Sequence, residues 1–311
     1  MKKRVLVVSS ANMDFVMKVG KLPEAGQTVI ETESYSYVPG GKGANSALAL
    51  AKLGADSVFC ARLGYDANGR KLKELYDSNG IDTRFLKLDR LNPTGLASII
   101  VESDGANRIV VYPGANSFLS SDDVEDAMTC IPDALFLQFE IPEEAVIAAA
   151  EFASKRRIPI FVDAGPAKAD TPLEKLPPLE VISPNETETF ALTGIMPNDS
   201  ANCLKAANEL LKRVESKYVV IKLGGRGAYI HDGKYSQLLP AIETAVVDTT
   251  AAGDSFTAAL TLEYLNTKDI VKAVKYANAV GAMVVSKAGA STSLPTAAQV
   301  EEFMRQRGIA L

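Results

Sequence analysis

Histidine is almost missing from this sequence, and that scarcity removes whole kinds of active site at once. Of 311 residues only His231 is a histidine, which excludes Ser-His-Asp and Cys-His catalysis and metal sites built from several imidazoles. His231 itself adjoins Asp232-Gly233, a hairpin signal between Tyr229-Ile230 and Tyr235 to Leu239, and is expected on an exposed turn flank. The three cysteines, Cys60, Cys130 and Cys203, are odd in number and far apart, so neither a disulfide framework nor a thiolate zinc site is indicated. Long apolar runs are lacking too. Val5 to Val8, behind the basic Met1-Lys2-Lys3-Arg4, is too short for a signal peptide, and no stretch approaches the roughly 20 apolar residues of a membrane span. Nor is there a long block of like charge: 33 basic residues stand against 38 acidic ones, net −5, which argues against nucleic acid or an anionic membrane as partner. A reducing cytoplasm is the expected setting, and any general base should be a carboxylate.

What is present is the composition of a soluble globular protein, 47% hydrophobic and 23% charged. The length suits one large α/β domain, or one with a small appendage. Strand-like and helical patterns alternate along it. Strands are expected at Arg4 to Ser9, Ser57 to Arg62, Ala134 to Phe139, Pro159 to Asp163, Glu180 to Ser183 and Tyr218 to Leu223. Helices are expected at Ala44 to Leu53, Asn68 to Asn79, Glu143 to Arg156, Glu186 to Leu192 and Ser200 to Glu215. That rhythm predicts a doubly wound, mostly parallel sheet sandwiched by helices. Two strand-rich stretches break it: Asp14 to Val19 with Thr28 to Tyr37, and Gly95 to Glu102 with Arg108 to Tyr112 across a polar 103–107 turn. They are expected to form a small separate sheet, a lid or dimer surface over the main domain.

The chemistry concentrates in Asp248-Thr249-Thr250-Ala251-Ala252-Gly253-Asp254. This turn follows a β-type run, Thr244 to Val247, and opens a helical pattern carrying Phe256, Ala259, Leu260 and Tyr264. A helix start leaves amides unpaired and partly positive, which suits a phosphate or a developing oxyanion. Asp254 there is either a base that takes a proton from an attacking hydroxyl or a plain complement to the helix dipole. A second glycine-rich turn, Gly40-Gly41-Lys42-Gly43-Ala44-Asn45, lets backbone approach a ligand and offers Asn45 to a sugar hydroxyl. It is no P-loop and only half fits a dinucleotide fingerprint, since Ser46 stands where the last glycine should be. Polar groups also follow three predicted strands: Asn12 and Asp14, Glu140, and Asn185 with Glu188. In open α/β sheets ligands gather at those carboxyl ends, although each residue alone reads better as a cap or loop residue.

Together these motifs resemble those of the PfkB carbohydrate kinase family, ribokinase-like members in particular. The likeness takes in Asn12-x-Asp14, Gly40 to Asn45, Gly114-Ala115-Asn116, Glu140, Pro184 to Glu188, Gly224-x-x-Gly227 and the Asp248 to Asp254 turn, in family order over nearly the whole length. It implies a single kinase domain over residues 1–311 with a lid at about 14–37 and 95–112. The implied activity is ATP-dependent phosphorylation of the primary hydroxyl of a small furanose, foremost D-ribose to D-ribose 5-phosphate. Deoxyribose, fructose, another pentose or a nucleoside are the alternative substrates. A catalytically silent sugar-binding regulator and a nicotinamide-dependent oxidoreductase are the rivals from other classes.

The resemblance also distributes roles. Asn12, Asp14, Gly41, Lys42, Asn45 and Glu140 would hold the sugar, and Ser98, Ile100 and Val110 of the lid would shape its choice. Asp254 would be the base, with the amides of Ala251, Ala252, Gly253 and Asp254 as anion hole. Asn185 and Glu188 would organise Mg²⁺ and phosphates through water. Gly224, Gly227, Gly253 and Asn278 would border ATP. A monovalent cation, K⁺, would sit among oxygens of Asp248, Thr250, Val284, Lys287, Gly289 and Ser293. A homodimer through the lid is implied as well. Three residues depart from the family pattern: Ala251 for a glycine, tolerable with a negative φ; Lys222 where threonine is common; and Ser255 after the proposed base.

Overall fold

Short apolar runs with no polar face become strands covered on both sides, and four such runs build the centre of this molecule. The computed structural model describes residues 2–30, 32–103 and 106–310. Its strands are β1 (Arg4–Val8), β2 (Asn12–Val19), β3 (Thr32–Gly40), β4 (Asp56–Gly64), β5 (Leu86–Asp89), β6 (Gly95–Glu102), β7 (Asn107–Tyr112), β8 (Ala134–Leu137), β9 (Ile160–Asp163), β10 (Leu179–Ser183), β11 (Ser216–Lys222), β12 (Ala228–His231) and β13 (Ser236–Leu239). Its helices are α1 (Lys42–Lys52), α2 (Ala67–Ser78), α3 (Ser121–Ala127), α4 (Glu143–Lys155), α5 (Glu186–Thr193), α6 (Ser200–Arg213), α7 (Ala252–Thr267), α8 (Ile270–Val285) and α9 (Ala297–Gln306).

The large sheet runs β13-β12-β11-β10-β9-β8-β1-β4-β5, parallel from β11 to β5 and antiparallel where β12 and β13 are added. Alternation along each strand divides the core. Val5, Val7, Phe136 and Phe161 pack with α1, α7 and α8 on one face, while Leu6, Val8, Leu135 and Val162 pack with α4 and α6 on the other. Parallel strands point one way, so Ser9 to Asn12, Gln138 to Glu140, Asp163, Asn185 and Lys222 are delivered to one edge. The expected α/β sandwich is therefore the observed one. The small sheet runs β3-β2-β6-β7, with β2 parallel to β6 and antiparallel to β3, and it joins the two strand-rich stretches as expected. Asp104 and Gly105 of the expected 103–107 turn, and Glu31, lie outside the described residues.

Two local expectations fail. Thr244 to Val247 forms no strand: Val246 and Val247 are exposed, and the Val247 amide bonds the Val285 carbonyl at the end of α8 instead of a sheet partner. His231 is not on an exposed flank. It ends β12 at 2% exposure, with one ring nitrogen 2.8 Å from Ser236 Oγ and the other 3.2 Å from Asn208 Oδ1. Among the described residues no helix is long and apolar enough to cross a membrane.

Candidate active site

The glycine turn before α1 brings backbone against backbone. Gly41 has φ +91°, and a Cβ there would stand 2.8 Å from Ala11 Cα and Asn12 N, while one on Gly40 would strike the Asp14 carboxylate at 2.1 Å. No side chain larger than hydrogen fits either place. The turn starts α1 so that Lys42 and Asn45 face the head of α7. Asn45 Nδ2 donates to Asp254 Oδ2 at 2.8 Å, and Lys42 Nζ lies 3.8 Å from Asp254 Oδ1. Glu140 anchors the same turn, accepting from the Lys42 amide at 3.1 Å and from Ser10 Oγ. Asn12 Oδ1 accepts from Asn116 Nδ2 at 2.8 Å, and Asn116 Oδ1 accepts from the Ala11 amide at 2.9 Å. Among the described residues the buried Asn45 Oδ1 atom has no hydrogen-bond partner, a free acceptor in this cluster.

Asp254 is 6% exposed in the first turn of α7. Burial pushes its carboxyl up to about 6; the Lys42 ammonium pulls it down and the Asp163 carboxylate pushes it up again. The same partner, Asp254, holds the Lys42 ammonium well above its usual range. Asp14 is driven up to about 7, by burial first and then by Glu140. At the start of α7 the Ala252 amide turns back to Thr249 O at 3.2 Å, and Ser255 closes the first α-helical bond on Ala251 O at 2.9 Å. Among the described residues the amides of Gly253 and Asp254 have no backbone acceptor. Ala251, the N-cap, has φ +62°, so the condition of a negative φ is not met: the turn holds an alanine in the left-handed region.

Beyond Asp254 opens a cavity of about 600 Å³, lined by Gly224, Gly227, Gly253 and Asn278 together with Ile242, Val246, Phe256, Gly281 and Val285. Its size is that of a site for one small organic molecule. Asn278 is oriented by donating to Pro240 O at 3.1 Å. Asn185 and Glu188 cap α5 reciprocally: the Asn185 amide donates to Glu188 Oε2 and the Glu188 amide to Asn185 Oδ1, both at 2.8 Å. The other Glu188 oxygen, Oε1, faces Gly165, where a Cβ would stand 2.2 Å from it and 3.4 Å from Lys42 Cε.

Asp248 ties two loops together. It accepts from Thr250 N at 2.9 Å, Thr250 Oγ1 at 2.6 Å and Gly289 N at 2.9 Å, and these bonds outweigh burial to hold its carboxyl below the usual range. Val284, Lys287 and Ser293 bond within their own 284–293 segment: the Lys287 amide to Val284 O, and Ser293 Oγ to Ala290 O. Among the described residues no three His, Cys, Asp or Glu side chains gather as a metal-binding group, so the donors here are one carboxylate with hydroxyls and carbonyls.

The lid residues named for sugar choice lie on the face opposite Asp14. Ser98 pairs with Phe15 and Val110, whereas Asp14 pairs with Ala97 and Ala97 with Val111, so Ala97 and Val111 share the face of Asp14. Sequence reasoning also missed Gln138 and Asp163. Gln138 Nε2 donates to Asp163 Oδ2 at 3.0 Å and reaches Asp254 Oδ1 at 3.5 Å, behind the turn. A polar residue in the apolar 134–139 run, and a carboxylate ending the next strand, were the available signals.

The family model "pfkB family carbohydrate kinase" matches residues 2–297. The chain is 34% identical over 307 residues to a ribokinase of Haemophilus influenzae, covering 98% of this chain and 99% of that protein. It is 30% identical over 304 residues to a deoxyribokinase of Salmonella typhimurium, covering 96% and 98%. Its fold superimposes with a TM-score of 0.89 on Arabidopsis thaliana ribokinase complexed with ribose and ATP, at 31% identity over 98% of this chain and 99% of that one. The chain belongs to the pfkB family and is an ATP-dependent carbohydrate kinase.

Proposed function

We propose that this kinase phosphorylates the primary hydroxyl of D-ribose, giving D-ribose 5-phosphate. The observation that carries the reading is Asp254 itself: a buried carboxylate, held by Asn45 and Lys42, beside two open amides and at the boundary between a polar cluster and an apolar cavity. In the reaction the sugar hydroxyl gives its proton to Asp254 as its oxygen bonds the γ-phosphorus. The bond to the β–γ bridging oxygen breaks, and its electron pair leaves with ADP. The Gly253 and Asp254 amides meet the charge on the transferring group. Asn12, Asp14, Asn45 and Glu140 bind the sugar, and Asn45 Oδ1 takes one of its hydroxyls. The adenosine of ATP occupies the cavity with Asn278 and the Gly224–Gly227 turn at its border.

Glu188 suits a hydrated Mg²⁺, since capping leaves one carboxylate oxygen on the site side; the ion would neutralise phosphate charge. The oxygens about Asp248 and Thr250, with the carbonyls of the 284–293 segment, suit K⁺, which would reinforce the anion hole electrostatically. The four-stranded sheet acts as a lid and, through exposed Tyr35, Tyr37 and Val110, as the contact between two copies. Ribokinase and deoxyribokinase relatives resemble the chain to nearly the same degree, so the decisive assay measures ADP release with ATP and Mg²⁺ on ribose, deoxyribose, fructose and nucleosides, with and without K⁺. Ribose should give the highest kcat/KM. Turnover on deoxyribose or a nucleoside with none on ribose would reassign the substrate.

A further inference from the structure

The Gly114-Ala115-Asn116 motif is used by none of these roles, although its asparagine is buried against Asn12. Asn116 lies in the short 3₁₀ turn Gly114–Phe118, where the chain leaves β7, and it meets the 9–11 link by which β1 passes into β2. The partners fix which end of its carboxamide faces which neighbour, since a backbone N–H only donates and a carbonyl only accepts. Asn116 Oδ1 accepts from the Ala11 amide at 2.9 Å, and Nδ2 faces Ala11 O at 3.1 Å and Pro113 O at 3.0 Å. Turned over, the amide would oppose all three. Its Nδ2 makes its shortest contact, 2.8 Å, with Asn12, which must therefore present Oδ1. Gly95 leaves the gap for this pairing: a Cβ there would stand 2.2 Å from Asn12 Oδ1 and 2.4 Å from Asn116 Nδ2. With Oδ1 engaged, the free end of Asn12 is Nδ2, which has no hydrogen-bond partner among the described residues. Asn45 is held in the opposite sense, its Nδ2 donating to Asp254 Oδ2 at 2.8 Å and its Oδ1 unpartnered.

Resting on the reading of Asn12 as a sugar-binding residue, we propose that Asn116 is a positioning residue for sugar specificity: it locks Asn12 as a hydrogen-bond donor, so that Asn12 takes only a sugar oxygen that accepts. The relay runs one way. The Ala11 N–H orients Asn116, Asn116 orients Asn12, and Asn12 Nδ2 reads the ligand. Asn45 Oδ1 and an ionised Asp14 can only accept, so the hydroxyls of one sugar are told apart by the direction of their hydrogen bonds. An asparagine free to turn over would present either end and lose that discrimination.

The test compares Asn116→Ala, Asn12→Ala, the double variant Asn12→Ala/Asn116→Ala and Asn12→Asp, all at pH 8, above the titration of Asp14. Calorimetry reads ribose affinity, and steady-state kinetics reads kcat and both KM values. Asn116→Ala should bind ribose about tenfold more weakly, the worth of one well-placed hydrogen bond, with the ATP KM within twofold of wild type. In the double variant the loss should be no greater than in Asn12→Ala alone, because Asn116 acts only through Asn12. Asn12→Asp keeps an oxygen for Asn116 and turns an acceptor to the sugar, so it should lose about as much as Asn12→Ala; with Asn116 intact, its result stands even where Asn116→Ala does not fold. Losses that multiply in the double variant would overturn the proposal, as would an Asn12→Asp protein that binds ribose like the wild type. An Asn12→Ala protein with undiminished ribose affinity would instead overturn the reading of Asn12 as a sugar-binding residue.

Discussion

The two sides of the α7 N-terminus are made of different materials. On the side of β1, β2 and α1, polar groups fix one another: Asn45 is held by Asp254, Asn12 by Asn116, Glu140 by the Lys42 amide. On the other side the walls are Ile242, Val246, Phe256, Ala282 and Val285, with glycines at the rim. A wall of fixed donors and acceptors judges a ligand hydroxyl by hydroxyl, because each partner left unpaired in a buried site is penalised. An apolar slot accepts a flat ring by area, with no single group decisive. On the proposed reading, specificity is therefore concentrated on the first side in a few steep contacts, and affinity is spread over the second in many shallow ones.

The sharpest way to break that division is at the residue both sides share. Asp254→Asn keeps shape and removes the proposed base, and kcat should fall by about 10² to 10⁴ while affinity for a non-hydrolysable ATP analogue stays within a few-fold. A kcat within tenfold of wild type would remove Asp254 from the chemistry.

Next in size is Asp14, on the steep side. Asp14→Asn should raise the ribose KM by about 100-fold, roughly two charged hydrogen bonds, and leave the ATP KM alone. The same group predicts a pH effect. Its folded pKa of about 7 lies above the ordinary 3.8, so between those values the folded protein keeps a proton that the unfolded chain releases. Its contribution to stability is full below about 3.8, declines as pH rises, and is lost above 7. In wild type, sugar kcat/KM should therefore fall as pH drops through 7. Asp14→Asn should melt a few degrees higher than wild type at pH 8, and the gap should close towards pH 4. An Asp14→Asn protein that is no more stable at pH 8 contradicts the strained carboxylate.

The shallow side is probed by filling it. Gly281 faces the cavity from α8, and a Cβ there meets nothing within 4 Å. Gly281→Val should keep the fold, since valine is a better helix former than glycine, and should raise the ATP KM by about tenfold with the ribose KM unmoved. Equal rises in both constants would mean that the two sides are not separable.

How far these features could be read from sequence followed the range of their causes. The Gly40 to Asn45 and Asp248 to Asp254 turns were legible because each is a local demand: small residues where backbone crowds, then a helix start. The parallel sheet was legible because its runs are apolar on both faces. Gln138, Asp163 and Lys222 meet behind Asp254 from three strands, and only the order β11-β10-β9-β8 brings them together. Which lid residues share the face of Asp14 is a matter of register, since Ser98 and Ala97 are neighbours in sequence but face opposite ways. Thr244 to Val247 has a strand's composition and no strand to join, a reminder that β propensity describes a surface that must exist.

Ala251 sets the smallest expected effect and the finest test of how the two sides are joined. It is the hinge between them, an N-cap with φ +62° and no side-chain hydrogen bond to offer the helix. An L-residue in that region gives up about 1 to 2 kcal/mol that glycine would not. Against this, glycine loses more backbone freedom on folding, by about 0.5 to 1 kcal/mol, and Ala251→Gly removes the methyl group of a buried residue. The opposing terms nearly cancel, leaving a net gain of about 0.5 kcal/mol. Urea unfolding should therefore show a slightly higher midpoint with an unchanged slope, and kcat should stay within about twofold, because the Gly253 and Asp254 amides belong to the helix that follows and not to the residue replaced. A lower midpoint would mean that the methyl contact outweighs the strain. A large fall in kcat with stability unchanged would mean that the alanine's restricted φ is what aims the two amides, and the join itself would then count among the steep contacts.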